Sequence, residues 1–543
     1  MGLSTLSNPN GQFAFEPGQT IIIDPQKAEE STALMPLDAT QKELKALISR
    51  RQPEYEERLA HWQLLEQTYE GGREWYNANI FQYIKEGMKE YADRVQRAYR
   101  FNHSREVVDL LNKYLFKQMI ARNRDDAPPS VDAFWKCATR NGLGIKDFAR
   151  QISKKASIFG RVGIVVDNTS TGNAVSLADL KETGYQTYAY IITPDQMLDY
   201  SWDEQGALNW MLVAEAYRDD SDPLKSTGDV MTRYRLWTTQ EWRLFEEVRE
   251  GRRIVIKEVA QGVHGLGVVP IILADNVITD EEYSVPALIE DIVYLDRAAA
   301  NYLSNLDAII QDQTFSQLAM PAQNVLPGSD NYTTLMDMGT KRVFLYDGES
   351  GQAPFYLSPD PKQAAMILAV VNKIINEIYH TVGLAGERTK QDNALGIDNS
   401  SGVAKAYDFE RVNALLAAKA SSLQAVENRL VALVALWNGE EGKLGSEHLV
   451  SYPKNFDTRG LYDEFDIAAR LMLIEAPDSV RQEQMKMTIE KLFPQLAKDL
   501  KAKMLADLKN WPPEPVDANG DTPTQEFTKQ ESRAVGKEAA TAT

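Results

Sequence analysis

The sequence holds a single cysteine, Cys137, among 543 residues. No internal disulfide can form, and a thiolate metal cluster is excluded. Its neighbours Phe134, Trp135 and Ala138 suit an apolar helix face, so a buried, unreactive thiol is expected. Histidine is almost as scarce. His61, His103, His264, His380 and His448 lie too far apart in the chain for a local zinc motif. No run of 18 apolar residues occurs, so no membrane-spanning helix is expected. The first twenty residues lack a basic stretch leading into an apolar one, and they are not read as a secretory signal.

Nucleotide and hydrolase signatures are missing as well. No G-x-x-x-x-G-K-[ST] loop is present, and Gly439 to Ser446 has the wrong spacing. Gly262 to Gly267 carries three glycines but precedes a strand-like run, so it reads as a turn. No G-x-S-x-G elbow occurs. The pairs Asp125-Asp126 and Asp219-Asp220 read as solvated loop charges rather than magnesium ligands. No catalytic residue, metal ligand or cofactor site is assigned, and the expectation is a protein that is not an enzyme. Positive charge is in deficit: 59 Lys and Arg face 78 Asp and Glu, for a net −19. A protein that grips DNA by neutralising phosphates is usually basic. Tight DNA binding is therefore disfavoured, whereas letting DNA slide without sticking is compatible with acidity.

What is present is a mainly helical α+β chain; 43% hydrophobic residues suffice for a sizeable core. Residues 1–40, with Pro9, Pro17, Pro25 and Pro36, read as an extended arm carrying one short strand at Thr20–Ile23. From 41 the pattern is helical. Val95, Ala98 and Tyr99 share a face with Tyr91, while Arg94, Arg97 and Arg100 lie elsewhere, facing solvent, a neighbouring subunit or DNA. Further helices follow Pro128-Pro129 and Gly144. The period then changes at Gly160. Residues 161–167, 188–192, 210–214, 232–237, 241–245 and 253–259 read as strands, with a hairpin tip at Thr238–Gln240.

Helical periodicity returns from Tyr283 to Gln313, a stretch that would span roughly 46 Å as one rod. Its acids Glu290, Asp291, Asp296, Asp307 and Asp312 face one base, Arg297, a net −4. Residues 314–360 are rich in Pro and Gly and read as a small β insertion. A second helix is expected from Pro361 to Thr381, with Ala365, Leu368, Ile374, Ile375 and Ile378 inward and Gly383 as its stop. Residues 384–402 are polar and read as a loop. A long helix follows to Trp437; its apolar stripe is interrupted at Lys419 and must pack on other helices or on a neighbouring subunit. Pro477 and Pro494 divide the last helical region. Residues 512–543 are too polar to fold.

Taken in order, these parts resemble the portal protein, or head-to-tail connector, of a tailed bacteriophage. The resemblance rests on Tyr91-Ala92-Asp93-Arg94 with Asn102, on Tyr114-Leu115-Phe116, and on Asp147-Phe148-Ala149-Arg150 leading into Ile158–Gly163. It also rests on His264-Gly265-Leu266-Gly267 before Val269-Pro270, and on Ser401-Gly402-Val403-Ala404-Lys405 opening the long helix. The order of long helix, β insertion, second helix, polar loop and long helix carries most of it. The resemblance implies a wing at 41–282, stem helices at 283–313 and 361–383, a clip at 314–360, and a tunnel loop at 384–402. The long helix and its connection at 403–456 would rejoin the wing, with a crown at 457–511.

It further implies a ring of twelve identical subunits at one capsid vertex, assembled in the host cytoplasm and retained in the virion. Such a ring docks the terminase motor, contacts capsid and tail adaptor proteins, and passes double-stranded DNA, with no membrane or cofactor involved. Glu290, Asp291, Asp307 and Asp312 would then line the bore and repel phosphates, while Arg388 and Lys390 of the tunnel loop would touch them briefly. Two other readings compete. A different virion collar or adaptor ring would lack two long helices flanking a small β insertion. An α+β enzyme would show burial-shifted titratable groups converging in a deep cleft.

Overall fold

The computed structural model describes residues 39–168, 186–220, 222–314, 317–321, 343–346, 353, 355–357, 361–384, 402–446, 448–454, 456, 477–492 and 498–508. Nearly all of the expected arm, most of the clip, the polar loop with Arg388 and Lys390, the first part of the crown and the C-terminal tail lie outside these residues. The chain divides into two compact units, Met1–Phe456 and Asp457–Thr543.

The first unit opens with helices α1 (Gln41–Ile48), α2 (Tyr55–Glu70), α3 (Arg73–Asn79), α4 (Met88–Arg97) and α5 (His103–Leu115). A short strand β1 (Ala121–Arg122) precedes α6 (Pro129–Lys136) and α7 (Ile145–Phe159). Thr40 caps α1 with a reciprocal Thr40–Glu43 capping box. On α7 the buried residues Ile145, Phe148, Ala149, Ile152 and Ala156 follow the helical period. Cys137, just past α6, is half-buried rather than buried, with its Sγ 2.9 Å from Gln186 Nε2.

The chain then turns sharply at Gly160, where φ is +85°, into β2 (Arg161–Asn168). Val162, Ile164, Val165 and Val166 are completely buried because β2 is the central strand of an antiparallel sheet. Its neighbours are β3 (Thr187–Ile192) and β9 (Ile271–Asp275). Between them, β4 (Met197–Trp202), β5 (Leu208–Arg218), β6 (Val230–Thr238), β7 (Glu241–Glu250) and β8 (Arg253–Val263) form a five-stranded antiparallel meander. The β6–β7 hairpin falls where the sequence placed it, with Trp237 opposite Trp242. β4 was not anticipated as a strand, whereas β9 is the strand-like run expected after Gly267.

Helix α8 (Ile292–Thr314) leads to a small sheet of β10 (Gln317–Pro321), β11 (Val343–Tyr346) and β12 (Phe355–Leu357), and α9 (Pro361–Thr381) leads back. β10 is central, parallel to β11 and antiparallel to β12. The expected rod from 283 is therefore shorter: residues 283–291 are not helical, and 23 residues of helix span roughly 35 Å. The reason is partly tertiary and partly local. Leu288 donates its amide to Ser157 O (3.0 Å), and Ala287 donates its amide to the Glu290 carboxylate (3.0 Å). Pro286 also disfavours helical geometry at Val285.

Helix α10 (Gly402–Trp437) closes this unit, together with β13 (Val450–Ser451), which pairs with β1. Val412, Leu416, Ala420, Leu423, Val426, Leu430 and Val434 of α10 are buried in the chain's own main core. From Val412 onward its apolar stripe is covered within the chain. Lys419 lies in that stripe and is fully buried, donating to Ser157 Oγ (2.8 Å) and to Asn276 Oδ1.

In the second unit, α11 (Asp478–Leu492) starts directly after Pro477, and α12 (Lys498–Leu508) packs on it.

Candidate functional site

Of the expected channel acids, Asp307 and Asp312 sit on helix α8 and Glu290 and Asp291 in the turn before it; Asp307, Glu290 and the further α8 acid Asp296 are held by the N-terminal segments. Asp296 is almost fully buried. It accepts from Arg100 Nη1 (2.8 Å) and from the amide and hydroxyl of Ser104 (3.2 and 2.8 Å). Burial pushes its carboxyl up, against the opposing pull of Arg100 and Ser104. The Arg100 guanidinium also lies 3.9 Å over the Trp75 ring. Asp307 accepts from Arg97 Nε at 3.0 Å. Glu290, in the turn before α8, lies 2.9 Å from Arg58 Nη1 and 3.0 Å from His61 Nε2. Burial raises its carboxyl, but His61, the Ala287 amide and Arg58 together outweigh that and leave it lowered.

These pairs correct two expectations. Glu290 and Asp307 do not form a free acidic row with Asp291, because each is neutralised inside the subunit. Nor do the three arginines present an open cationic face. Arg94 is buried, bound to Ser304 Oγ (2.9 Å), Phe81 O (2.7 Å) and Glu86. Of the other expected channel acids, Asp291 is exposed, and the Asp312 side chain lies outside the described residues.

Helices α8 and α9 run antiparallel. Asp296, early in α8, and Tyr379, late in α9, both meet the start of α5: Tyr379 donates to Glu106 Oε2 at 2.5 Å and approaches His103 at 3.1 Å. This end of the hairpin is packed. Val371, Ile375, Ile378 and Tyr379 of α9 are buried with Leu303 and Leu306 of α8. Toward the small sheet the burial stops. Ile310 is 45% exposed, Met366 65%, Leu368 46% and Val370 38%. Ala365 and Leu368 were expected inward and are instead exposed, because the face of α9 turned to the core here is that of Ala364 and Ile367.

A third feature escaped the sequence reading. Between α3 and α4 the chain makes a tight turn, Phe81–Met88, with Glu86 N donating to Tyr83 O at 2.9 Å. It exposes Phe81 (57%), Tyr83 (61%), Ile84 (97%) and Met88 (72%). The available signal was a run of large apolar residues with neither helical nor strand period.

A cleft of about 1460 Å³ also opens along β3, bordered by α7 and by β5 to β7. Tyr188 donates to Asp167 Oδ2 (3.0 Å), Arg235 binds both carboxylate oxygens of Glu215 (2.7 and 3.1 Å), and Tyr190 donates to Glu215 (3.3 Å). Burial raises the Asp167 carboxyl against the pull of the Asn168 amide and Arg235, and burial raises both tyrosines. His264, near the rim, is pushed down to about 4 by burial. Its Nε2 lies 3.1 Å from Thr238 O, and its Nδ1 accepts from Leu266 N (3.3 Å). The groups converge as in an active site, yet their hydrogen bonds are directed at one another. Among the described residues no cluster of three or more metal-ligating side chains occurs.

No family model and no curated protein matches the sequence. Among solved structures, the chain is similar to one in the neck of an empty gene transfer agent (GTA) particle computed with C6 symmetry. That match has 11% identity, covers 75% of this chain and 90% of that one, and has a TM-score of 0.34. It is also similar to a chain in the virion of a native GTA particle, with 11% identity, 74% and 89% coverage and a TM-score of 0.35. Likeness at this level assigns no role.

Proposed function

We propose that this chain is a structural subunit of a ring in a tailed, phage-like particle. More particularly, we read it as the portal subunit through which the genome is packaged, retained and released. The reading is supported by the antiparallel α8–α9 hairpin, whose helices are joined by the three-stranded sheet and which ends beyond the body's core. Its far half exposes Ile310, Met366, Leu368 and Val370, a surface that a neighbouring copy would cover in a closed ring. We read this layout as stem, clip and stem, which a collar or adaptor ring would lack.

A bore lined with free acids is no part of this reading, since Glu290, Asp296 and Asp307 are ion-paired within the subunit. A non-catalytic role accords with the cleft, where Asp167, Glu215 and Arg235 are engaged with neighbours of the same wall. The portal reading is tested in particles assembled without this chain. Their heads are expected to hold no nuclease-protected DNA. Heads that fill normally would end that reading in favour of a collar or adaptor.

A further inference from the structure

The turn Phe81–Met88 is built more rigidly than an exposed loop requires. Arg94 grips it from below, with Nε and Nη2 on the two Glu86 oxygens (2.7 and 2.8 Å) and Nη2 also on Phe81 O. Tyr83 N donates to Glu86 Oε2 (3.1 Å), and Gln82 Nε2 donates to Glu86 O (2.9 Å). Phe81 N donates to Asn301 Oδ1 on α8 (2.9 Å), and the Arg297 guanidinium covers the Phe81 ring at 5.4 Å. Tyr91 OH donates to Ile80 O (2.8 Å). Ordering these residues costs roughly 1–2 kcal/mol each in backbone entropy, and the side chain placed at the tip, Ile84, touches almost nothing.

The exposed surface of Phe81, Tyr83, Ile84 and Met88 is on the order of 500 Å², about the largest apolar patch seen on ordinary monomers. It would supply most of one side of a standard protein interface, roughly 800 Å² per partner. On the other flank of α8 lies an unlike apolar surface. Exposed Ala365 and Ala369 form a low strip on α9, beside Met366 and Val370. Ala300 joins the cluster of Trp75, Ile80 and Val95 beneath the turn, whereas Leu303 and Leu306 join the cluster that holds α9. The two surfaces therefore sit on different sides of one helix. Two unlike, complementary patches on one chain are what a head-to-tail ring contact needs.

We propose that the Phe81–Met88 turn of one copy docks on the Ala365–Val370 half of α9 in the next, with Ile84 seated over Ala365 and Ala369 between Met366 and Val370. This rests on the ring reading, and it names the contact that closes the ring. Side chains that pack on a helix seat in the grooves between its ridges, and small residues such as Ala365 and Ala369 leave that groove open. Lys85 and Lys89, both exposed, would remain at the rim.

The test uses three full-length proteins: the wild type, a turn variant (Ile84→Glu with Met88→Glu) and an α9 variant (Met366→Glu with Val370→Glu). All four positions are solvent-exposed, so circular dichroism and melting of the variants should match wild type. By native mass measurement the wild type should form rings, and each variant alone should be monomeric at concentrations 100-fold above those at which wild type assembles. An equimolar mixture of the two variants should give a two-chain species and nothing larger. In that pair the α9 variant's intact turn meets the turn variant's intact α9. Rings from either variant alone, or variants that stay monomeric when mixed, would overturn the contact while leaving the ring reading standing. A monomeric wild type would end both. Intact rings combined with loss of particle assembly would assign the turn to a different virion protein and likewise overturn the proposal.

Discussion

Arg94 and Glu86 form a two-pronged ion pair beneath the turn that carries Ile84, with side chains only 5% and 13% exposed. Arg94→Met removes the cation and leaves the carboxylate in a largely buried position, which costs about 3 kcal/mol. The expected outcome is a lower urea midpoint and trypsin cleavage after Lys85 at least tenfold faster. Unchanged proteolysis would show that the pair does not hold the turn.

A second pair, Arg100 and Asp296, ties the linker after α4 to α8 with both side chains at or below 3% exposure. Asp296→Ala strands the guanidinium against Trp75 and should destabilise the chain by about 3–5 kcal/mol, whereas the double change Asp296→Leu with Arg100→Met should recover most of that loss. Urea denaturation followed by tryptophan fluorescence measures both. A double variant as unstable as the single one would mean that packing, not the orphaned charge, sets the cost.

Lys419 makes stability depend on pH in the alkaline direction. Burial pushes its ammonium down to about 7 in the folded chain, against about 10.4 when unfolded. Below pH 7 both states hold the proton, and the folded state bears the full burial cost. Between about pH 7 and 10.4 the unfolded chain binds more protons, so stability rises with pH, by at most about 5 kcal/mol in total. Lys419→Met should flatten the difference between urea midpoints at pH 7 and 9.5, and should raise the midpoint at pH 7. Equal slopes in wild type and variant would contradict a neutral lysine in the core.

Gly160 is required by conformation and by space. Its φ is +85°, and an added Cβ would lie 1.8 Å from Val285 O. Gly160→Ala should cost about 2–4 kcal/mol through strain and overpacking. Gly206, with φ +78° but no atom within 4 Å of a Cβ, should cost only about 1 kcal/mol as Ala. Comparable melting of the two alanine variants would refute the close approach of 283–291 to the α7–β2 corner.

That corner also explains where sequence reasoning failed. Local signals sufficed for α9, which starts at Pro361 and stops before Gly383, and for the β6–β7 hairpin, whose tip is polar between alternating strands. For 283–291 the apolar spacing of Val285 and Ile289, continuing to Ile292, matched a helix, but 283–291 form a strap whose Leu288 amide bonds the end of α7. Only tertiary contact shows that. The same holds for the charges. The three-residue spacing of Arg94, Arg97 and Arg100 was legible, but their partners Ser304, Asp307 and Asp296 lie about 200 residues away. Composition, net charge and period do not encode such pairing. They therefore suggested free acids and free arginines where the fold brings the two together. The exposed turn at Ile84 was missed for the opposite reason: a burial-based reading assigns large apolar residues to a core.

The ring itself is tested most directly by imaging the purified full-length chain and weighing it in its native state. A closed ring with a central opening, at a mass many times the 61.1 kDa of one chain, is the predicted result. A single chain that stays monomeric at the highest attainable concentration would contradict it.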